Sequence, residues 1–297
     1  MTFEIATEAP AKINLYLGVG DVRSDGYHEV TTVMQTLALG DSLRCHPAGC
    51  LDVVVEPDIG VPAEENLIYK AAVAICAALD RAPNFRIEVV KRIPHGAGLG
   101  GGSSNAAATL RMLARHFGIA PDSPMLREVA RSLGADVAFF LGGGTALLGG
   151  RGDELQTRLP TPELDVVLIK PEDSISTAVA YKTFDDIGSS ASGDQARLLD
   201  ACERNDRLAV AQSIHNDFND AAIHLCPEIA GVLDVCASHH GALGCAVSGS
   251  GSAVFAICAD AQVAELLARK AQDRGWWSAP THTTSTIPPV AYEGASA

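Results

Sequence analysis

The pattern of apolar and polar positions marks two short runs rich in β-forming residues in the first half of the chain, Leu51 to Val55 (LDVVV) and Phe85 to Val90 (FRIEVV). Between them, Leu67, Ala71, Ile75 and Leu79 recur at the spacing of one helix face, which predicts a helix over Asn66 to Leu79. The clearest helical stripe is Ala106, Leu110, Leu113 and Phe117, behind the serine pair Ser103 and Ser104, whose hydroxyls suit the capping of a first turn. A further helix is expected to start at Asp122 or Ser123, with Pro124 in its first turn. It would bury Leu126, Val129, Ala130 and Leu133 and stop at Gly134.

The stretch LDVVLIKP (Leu164 to Pro171) reads as a buried strand after the loop Arg158 to Pro162. It is expected to open a second domain, dividing the chain into residues 1–160 and 161–297. A length of 297 residues, against a usual single-domain size of about 100–150, agrees with two domains sharing a cleft. Beyond the seam, helices (Ala196 to Cys202, Arg207 to Ile214, Ile229 to Ala237, Ala261 to Gln272) alternate with short strands (Cys245 to Val247, Ala253 to Ile257). The fold class read from this order is α+β. Gly188 to Gly193 reads as a mobile loop, being small and polar.

With 47% hydrophobic and 20% charged residues, the composition excludes a disordered or collagen-like chain. The formal net charge of -14 repels polyanions, which argues against nucleic acid or an anionic membrane as partner and requires a local positive site for any anionic ligand. The start, MTFEIATEAPAKINLYL, carries Glu4 and Glu8 and lacks the basic stretch of a secretory signal, and no later apolar run has membrane-spanning length. The eight cysteines are scattered without a CxxC pair, so they read as reduced thiols in a cytoplasmic protein. A monomer or homodimer is expected.

The chemistry concentrates in PHGAGLGGGSSNAAA (Pro94 to Ala108). Glycines at 96, 98, 100, 101 and 102 let backbone approach a ligand closely, and the helix behind them aims unpaired N–H groups and a positive dipole end at an anion. A tight structural turn is the plain alternative, but glycines in this number cost folding entropy without adding packing. The segment is not a P-loop, since no Lys-Ser or Lys-Thr follows the glycines. Gly96, Gly98 and Gly101 satisfy GxGxxG, yet FGIAPDSP (Phe117 to Pro124) is no second strand of a dinucleotide-binding unit.

This segment resembles the central motif of the GHMP kinase superfamily, the small-metabolite kinases that include galactokinase, homoserine kinase and mevalonate kinase. APAKINLYL (Ala9 to Leu17), DGYHEV (Asp25 to Val30), LGADVAFFLGGGTAL (Leu133 to Leu147) and SGSGSAVFAI (Ser248 to Ile257) resemble, in order, one branch of it, which acts on a cytidine diphosphate-linked methylerythritol in the non-mevalonate isoprenoid pathway. The resemblance implies a two-domain fold with the active site between the domains, and ATP-dependent phosphorylation of the acceptor's 2-hydroxyl with ATP and Mg²⁺. By motif position, Lys12 and Asp136 match the catalytic pair. The ATP phosphates fall to Pro94, His95, Gly96, Ala97, Gly98, Leu99, Gly100, Gly101, Gly102, Ser103 and Ser104, and the adenine to Asn66 and Leu67. Asn14, Tyr27, His28, Thr177 and Tyr181 fall where the branch contacts its cytidine-linked acceptor, with the base expected between Tyr27 and Tyr181 and read at its edge by His28. The resemblance names no Mg²⁺ ligands beyond the nucleotide phosphates, and Ser104 is the candidate from the protein.

Taken singly, these residues have plainer readings. Lys12 alone is a solvated edge charge, Asp136 a helix cap, Tyr27 and His28 the close of a turn begun at Asp25 and Gly26, and Gly249 with Gly251 a backbone bend. Ala138 and Ser252 stand where the branch usually has proline.

Overall fold

The computed structural model describes residues 3–189 and 193–293. Its dominant element is a long antiparallel hairpin of β1 (Glu4–Val22) and β2 (His28–Pro47). The turn is closed by the Tyr27 amide donating to Asp25 Oδ1 at 3.1 Å. Around this hairpin an eight-stranded sheet forms. β3 (Asp52–Glu56) pairs in parallel with β4 (Phe85–Val90), which pairs with β2; β5 (Thr145–Gly149) also pairs with β2 and carries β6 (Glu154–Leu159). The second sheet is antiparallel and has four strands: β7 (Asp165–Lys170) lies between β10 (Val254–Cys258) and β11 (Trp277–His282), and β9 (Ala242–Val247) flanks β10. Residues past 160 also complete the first sheet, because β8 (His215–Asn216) and β12 (Ala291–Glu293) both pair with β1.

Alternation does not reveal the hairpin because both of its faces are covered. Ile5, Ala9, Met34 and Leu43 join a core with helices α1 (Leu67–Ala78) and α2 (Gly101–His116), while Ala11, Ile13, Leu15 and Leu37 join Val166, Leu168, Phe255 and Ile257 of the second sheet. Polar residues are buried in it as well: Lys12, Asn14, Thr32, Gln35, Thr36 and Asp41. Some pair within the hairpin, as Lys12 does with Asn14, and others reach far along the chain, as where Gln35 Nε2 donates to the Thr284 carbonyl at 3.0 Å.

Helix α3 (Pro124–Leu133) ends at Gly134, and α4 (Ala135–Phe139) follows at once. Around the second sheet lie α5 (Thr177–Ile187), α6 (Gln195–Glu203), α7 (Arg207–Gln212), α8 (Asn219–Leu225), α9 (Glu228–Ala237) and α10 (Ala261–Gln272). Helix α2 departs from expectation: it begins at Gly101, its cap is Gly100 in a left-handed conformation (φ 71°), and no side chain bonds its first turn. The serines lie inside the helix and not at its cap, which leaves its first amides without intrahelical or capping partners among the described residues.

Arg111 of α2 donates to Thr7 Oγ1 at 2.7 Å and to the Pro288 carbonyl at 3.0 Å, fastening the returning chain to β1; burial lowers its pKa to about 10. All eight cysteines are free, and six of them (Cys45, Cys76, Cys202, Cys226, Cys236, Cys258) are buried, as expected of small apolar side chains. Among the described residues no helix is long and apolar enough to cross a membrane. The centre of the Gly188 to Gly193 loop, residues 190–192, lies outside the described residues.

Candidate active site

A cleft of about 930 Å³ opens between the two halves. Of the residues singled out from sequence, Lys12, Asn14, Tyr27, His28, Asn66, Leu67, the run Pro94 to Ser103, Asp136, Thr177 and Tyr181 all line it. Ser104 does not: it is 1% exposed, and its hydroxyl has no partner among the described residues.

Irregularities in β1, between Pro10 and Lys12 and between Asn14 and Tyr16, bracket a short regular stretch. Within it Lys12 and Asn14 share one face while Ile13 packs into the inter-sheet core. Lys12, at 4% exposure, is therefore no solvated edge charge. Its ammonium donates to Asn14 Oδ1 at 2.7 Å and stands 3.7 Å from Asp136 Oδ2. Asn14 Nδ2 in turn donates to Thr32 Oγ1 at 2.8 Å, and Thr32 donates to the Tyr16 carbonyl at 2.7 Å, so the lysine is held by a chain ending on backbone. Burial lowers the Lys12 pKa, and the Asp136 charge opposes that shift. Asp136 is in the first turn of α4, but the cap is Gly134 and the carboxylate makes no capping bond, which leaves it free to face the lysine.

The glycine-rich segment is backbone laid against backbone. The Lys12 amide donates to the Leu99 carbonyl at 3.0 Å, the Ala253 amide to the Ala97 carbonyl at 3.1 Å, and Ser248 Oγ to the Gly98 carbonyl at 3.0 Å. A Cβ at Gly98 (φ 75°) would lie 2.0 Å from the Ser248 carbonyl oxygen, and one at Gly100 would lie 2.8 Å from the Phe140 ring and 3.0 Å from Lys12 Cγ. Glycine at these two positions is what lets three segments meet. Asn66 caps α1, its Oδ1 accepting from the Ile68 amide at 3.0 Å, and Leu67 lies beside Gly102. Of the second glycine pair, Gly249 lines the cleft, while Gly251 lies behind it against Gly98. Ser252 donates to the Asp173 carbonyl, a bond the branch's usual proline lacks.

Sequence reasoning missed the anchor of this loop. Asp41, fully buried, accepts from the Arg92 and Ile93 amides at 2.7 and 2.9 Å, from Asn105 Nδ2 at 2.9 Å, and from the ammonium of Lys91. The carboxylate thus ties the entry of the loop to α2. The only local signal was a single acid inside the run LALGDSLRC (Leu37 to Cys45).

At the opposite end the lining is aromatic. Tyr27 is 57% exposed, with the Arg151 guanidinium 5.0 Å from its ring centroid. Tyr181 stacks on His28 (centroids 5.4 Å, 21° between planes) and meets Phe218 edge-on at 4.8 Å. The expectation of Tyr181 as an open face opposite Tyr27 therefore changes, since His28 already covers one of its faces. Both nitrogens of His28 are engaged too, Nδ1 with the Gly20 carbonyl and Nε2 with Asp185, each at 2.9 Å. Burial, then the Asp136 charge, pushes the Tyr181 hydroxyl up to about 12, which keeps it neutral. Thr177 Oγ1 and Ser250 Oγ share a hydrogen bond of 3.1 Å. Arg151 and Phe218 were not anticipated, lying outside the motifs.

Lys12, Lys91, Arg131, Arg151 and Lys182 line the cleft against two carboxylates, Asp136 and Asp185. This supplies the local positive field that an acidic chain needs for an anionic ligand. Among the described residues no group of three or more His, Cys, Asp or Glu side chains is placed to hold a metal ion. A divalent cation here would take most of its ligands from phosphate oxygens.

Comparison with known proteins agrees with this geometry. The model of the GHMP kinases N terminal domain matches residues 66–144, and that of the GHMP kinases C terminal domain matches residues 198–275. The chain is 38% identical over 276 residues (93% of this chain, 94% of the relative) to the 4-diphosphocytidyl-2-C-methyl-D-erythritol kinase of Desulfitobacterium hafniense (strain Y51). To the kinase of the same name from Nocardia farcinica (strain IFM 10152) it is 38% identical, over 91% of this chain and 90% of the relative. A crystal structure of 4-(cytidine 5'-diphospho)-2C-methyl-D-erythritol kinase superposes with TM-score 0.76 at 31% identity, covering 94% of this chain and 98% of that one. Homoserine kinase from Cytophaga hutchinsonii, at 20% identity and TM-score 0.72, shares the fold. The chain belongs to the GHMP kinases, in the family of the 4-diphosphocytidyl-2-C-methyl-D-erythritol kinases.

Proposed function

We propose that this chain transfers the γ-phosphoryl group of ATP to the 2-hydroxyl of 4-diphosphocytidyl-2-C-methyl-D-erythritol, a step of the non-mevalonate route to isoprenoid precursors. The observation that carries the reading is the Lys12 and Asp136 pair, 3.7 Å apart, between an amide-rich loop and an aromatic pocket in one cleft. We take residues 1–160 and 161–297 as the two domains that meet there, with β8 and β12 of the second reaching back to pair with β1 of the first.

Phosphoryl transfer asks the protein mainly for positioning and charge stabilisation. The glycine loop and the first amides of α2 receive the triphosphate, with Asn66 and Leu67 beside the adenine. Asp136 accepts the proton of the attacking hydroxyl. Lys12, held by Asn14, offsets the charge that develops on the transferred group and fixes the carboxylate. Tyr27 stacks on the cytosine, Tyr181 and Thr177 close the pocket, and His28 reaches the base edge by exchanging Asp185 for it. Mg²⁺ would be carried by the nucleotide phosphates, because Ser104, one turn into α2 and without a side-chain partner among the described residues, is buried outside the cleft lining. Bound there, the ion would neutralise phosphate charge.

An ADP-release assay offering the cytidyl acceptor, homoserine or mevalonate tests the reading. Only the first is expected to support turnover. Equal turnover on homoserine or mevalonate would leave a GHMP kinase of another specificity, and no turnover on any would leave a nucleotide-binding protein.

A further inference from the structure

The acceptor end holds a cation that the catalytic reading leaves without a task. Arg151 is carried on a turn stapled to the start of β2: the Val30 amide donates to the Gly150 carbonyl at 2.7 Å, the Gly150 amide to Glu29 Oε1 at 2.9 Å, and the Arg151 amide to Asp153 Oδ1 at 3.0 Å. Its guanidinium stands over one face of Tyr27, and the side chain is 45% exposed. Its one acidic partner among the described residues is Asp153, at a loose 3.4 Å. A guanidinium has five N–H donors in a planar fork, so most of them remain free toward the cleft.

We propose that Arg151 binds the diphosphate of the nucleotide-linked acceptor and thereby sets the preference for a nucleoside diphosphate over a bare nucleoside. The inference rests on the acceptor reading above. An exposed aromatic face beside a fixed guanidinium offers the two groups a nucleotide needs, a stacking surface for the base and a fork for phosphate oxygens. The site is separate from the donor phosphates, which belong to the glycine loop. An arginine lying on a surface tyrosine is otherwise ordinary. What sets this one apart is its place in the lining of the cleft beside Gly26, Tyr27 and His28, on a turn held at both ends.

Titration calorimetry of wild type and Arg151→Met with cytidine and with cytidine diphosphate tests it. Wild type is expected to bind the diphosphate more tightly than the nucleoside. In Arg151→Met the diphosphate should weaken about tenfold to a hundredfold, with cytidine unchanged. Arg151→Lys should fall between, and in turnover Arg151→Met should raise the acceptor KM and spare the ATP KM. Equal weakening of both ligands would overturn the proposal, because the arginine would then only support Tyr27. So would a diphosphate advantage that survives in the variant. If wild type binds neither cytidine nor cytidine diphosphate, the acceptor reading itself falls, and the role of Arg151 with it.

Discussion

At the end of the cleft proposed for the donor the surface is mostly backbone, drawn from the glycine-rich segment with Asn66 and Leu67 beside it; at the end proposed for the acceptor it is side chains, drawn from β1, the turn into β2, β2, the turn after β5, α5 and the start of α8. The donor end has its shape set by glycines whose missing side chains let Gly98 lie against Ser248 and Gly100 against Phe140 and Lys12. The acceptor end has its shape set by ring contacts, Tyr181 on His28 and Phe218, and Arg151 on Tyr27. A backbone cradle serves any triphosphate, because amides recognise charge and not identity. Specificity must then come from the side chains at the other end, where substitution is free to change the ligand without disturbing the loop.

The sharpest way to break this division is at the join. Asp136→Asn keeps the shape of the side chain and removes the proton acceptor, and kcat is expected to fall about 10²–10⁴-fold while both ligands still bind. Lys12→Ala should also lose turnover, and the double variant should lose much less than the product of the two single losses if the pair acts as one unit. Near-normal turnover of Asp136→Asn would put proton removal elsewhere.

Next in size is Tyr27→Ala. Loss of base stacking costs about 1–3 kcal/mol, so steady-state kinetics should show the acceptor KM rising with the ATP KM unchanged. A rise in the ATP KM alone would mean that donor and acceptor ends are exchanged.

The donor end is sharpened by Gly102→Asp. Gly101 is the less clean site, since a Cβ there would already lie 3.0 Å from Ile93 and 3.2 Å from Lys91 Nζ, mixing packing with binding. At Gly102 the nearest atom to an added Cβ, on Leu67, would be 3.8 Å away, an ordinary contact, and the position lines the open cleft. Its charge at the start of α2 should stabilise the free protein by about 0.3–1 kcal/mol and weaken ATP about tenfold by repulsion. Melting curves and ATP titration read the two opposite signs; unchanged ATP affinity in the folded variant would remove the phosphates from this loop.

The smallest effect concerns Lys12 and pH. Burial holds its folded pKa below the unfolded value, so the unfolded chain binds more protons in the interval between them. The stability of wild type relative to Lys12→Met should therefore rise with pH through that interval, by at most about 1.4 kcal/mol per unit, and level off above the ordinary lysine value. Urea denaturation at neutral and alkaline pH measures it, and a difference that falls as pH rises would contradict the burial account.

The same contrast explains what the sequence disclosed. The glycine loop was legible because its chemistry is contiguous, α1, α3, β4 and α10 because each buries one periodic face, and β7 because, covered on both faces, it is a short uninterrupted apolar run without buried polar residues until Lys170. The β1 and β2 hairpin was not, since both of its faces are covered and its polar residues find partners such as Thr284 hundreds of positions away. Asp41 escaped for the same reason: a buried carboxylate gathering amides from residues 92 and 93 is invisible until the chain folds. Lys12, Asp136, Tyr27 and His28 were reached through motif resemblance, their plain readings as edge charge, cap or turn being equally open to periodicity. The start of α2 was misplaced because serines resemble caps, whereas this helix starts from a left-handed Gly100 with no side-chain cap.

The most direct test of the account follows the transferred phosphate itself. Wild-type protein with Mg·ATP and 4-diphosphocytidyl-2-C-methyl-D-erythritol, observed by ³¹P nuclear magnetic resonance with mass spectrometry, should release one ADP for each acceptor consumed and place one new phosphate on the 2-oxygen of the erythritol. ADP released without phosphate on the acceptor, or phosphate found at any other oxygen, would contradict it.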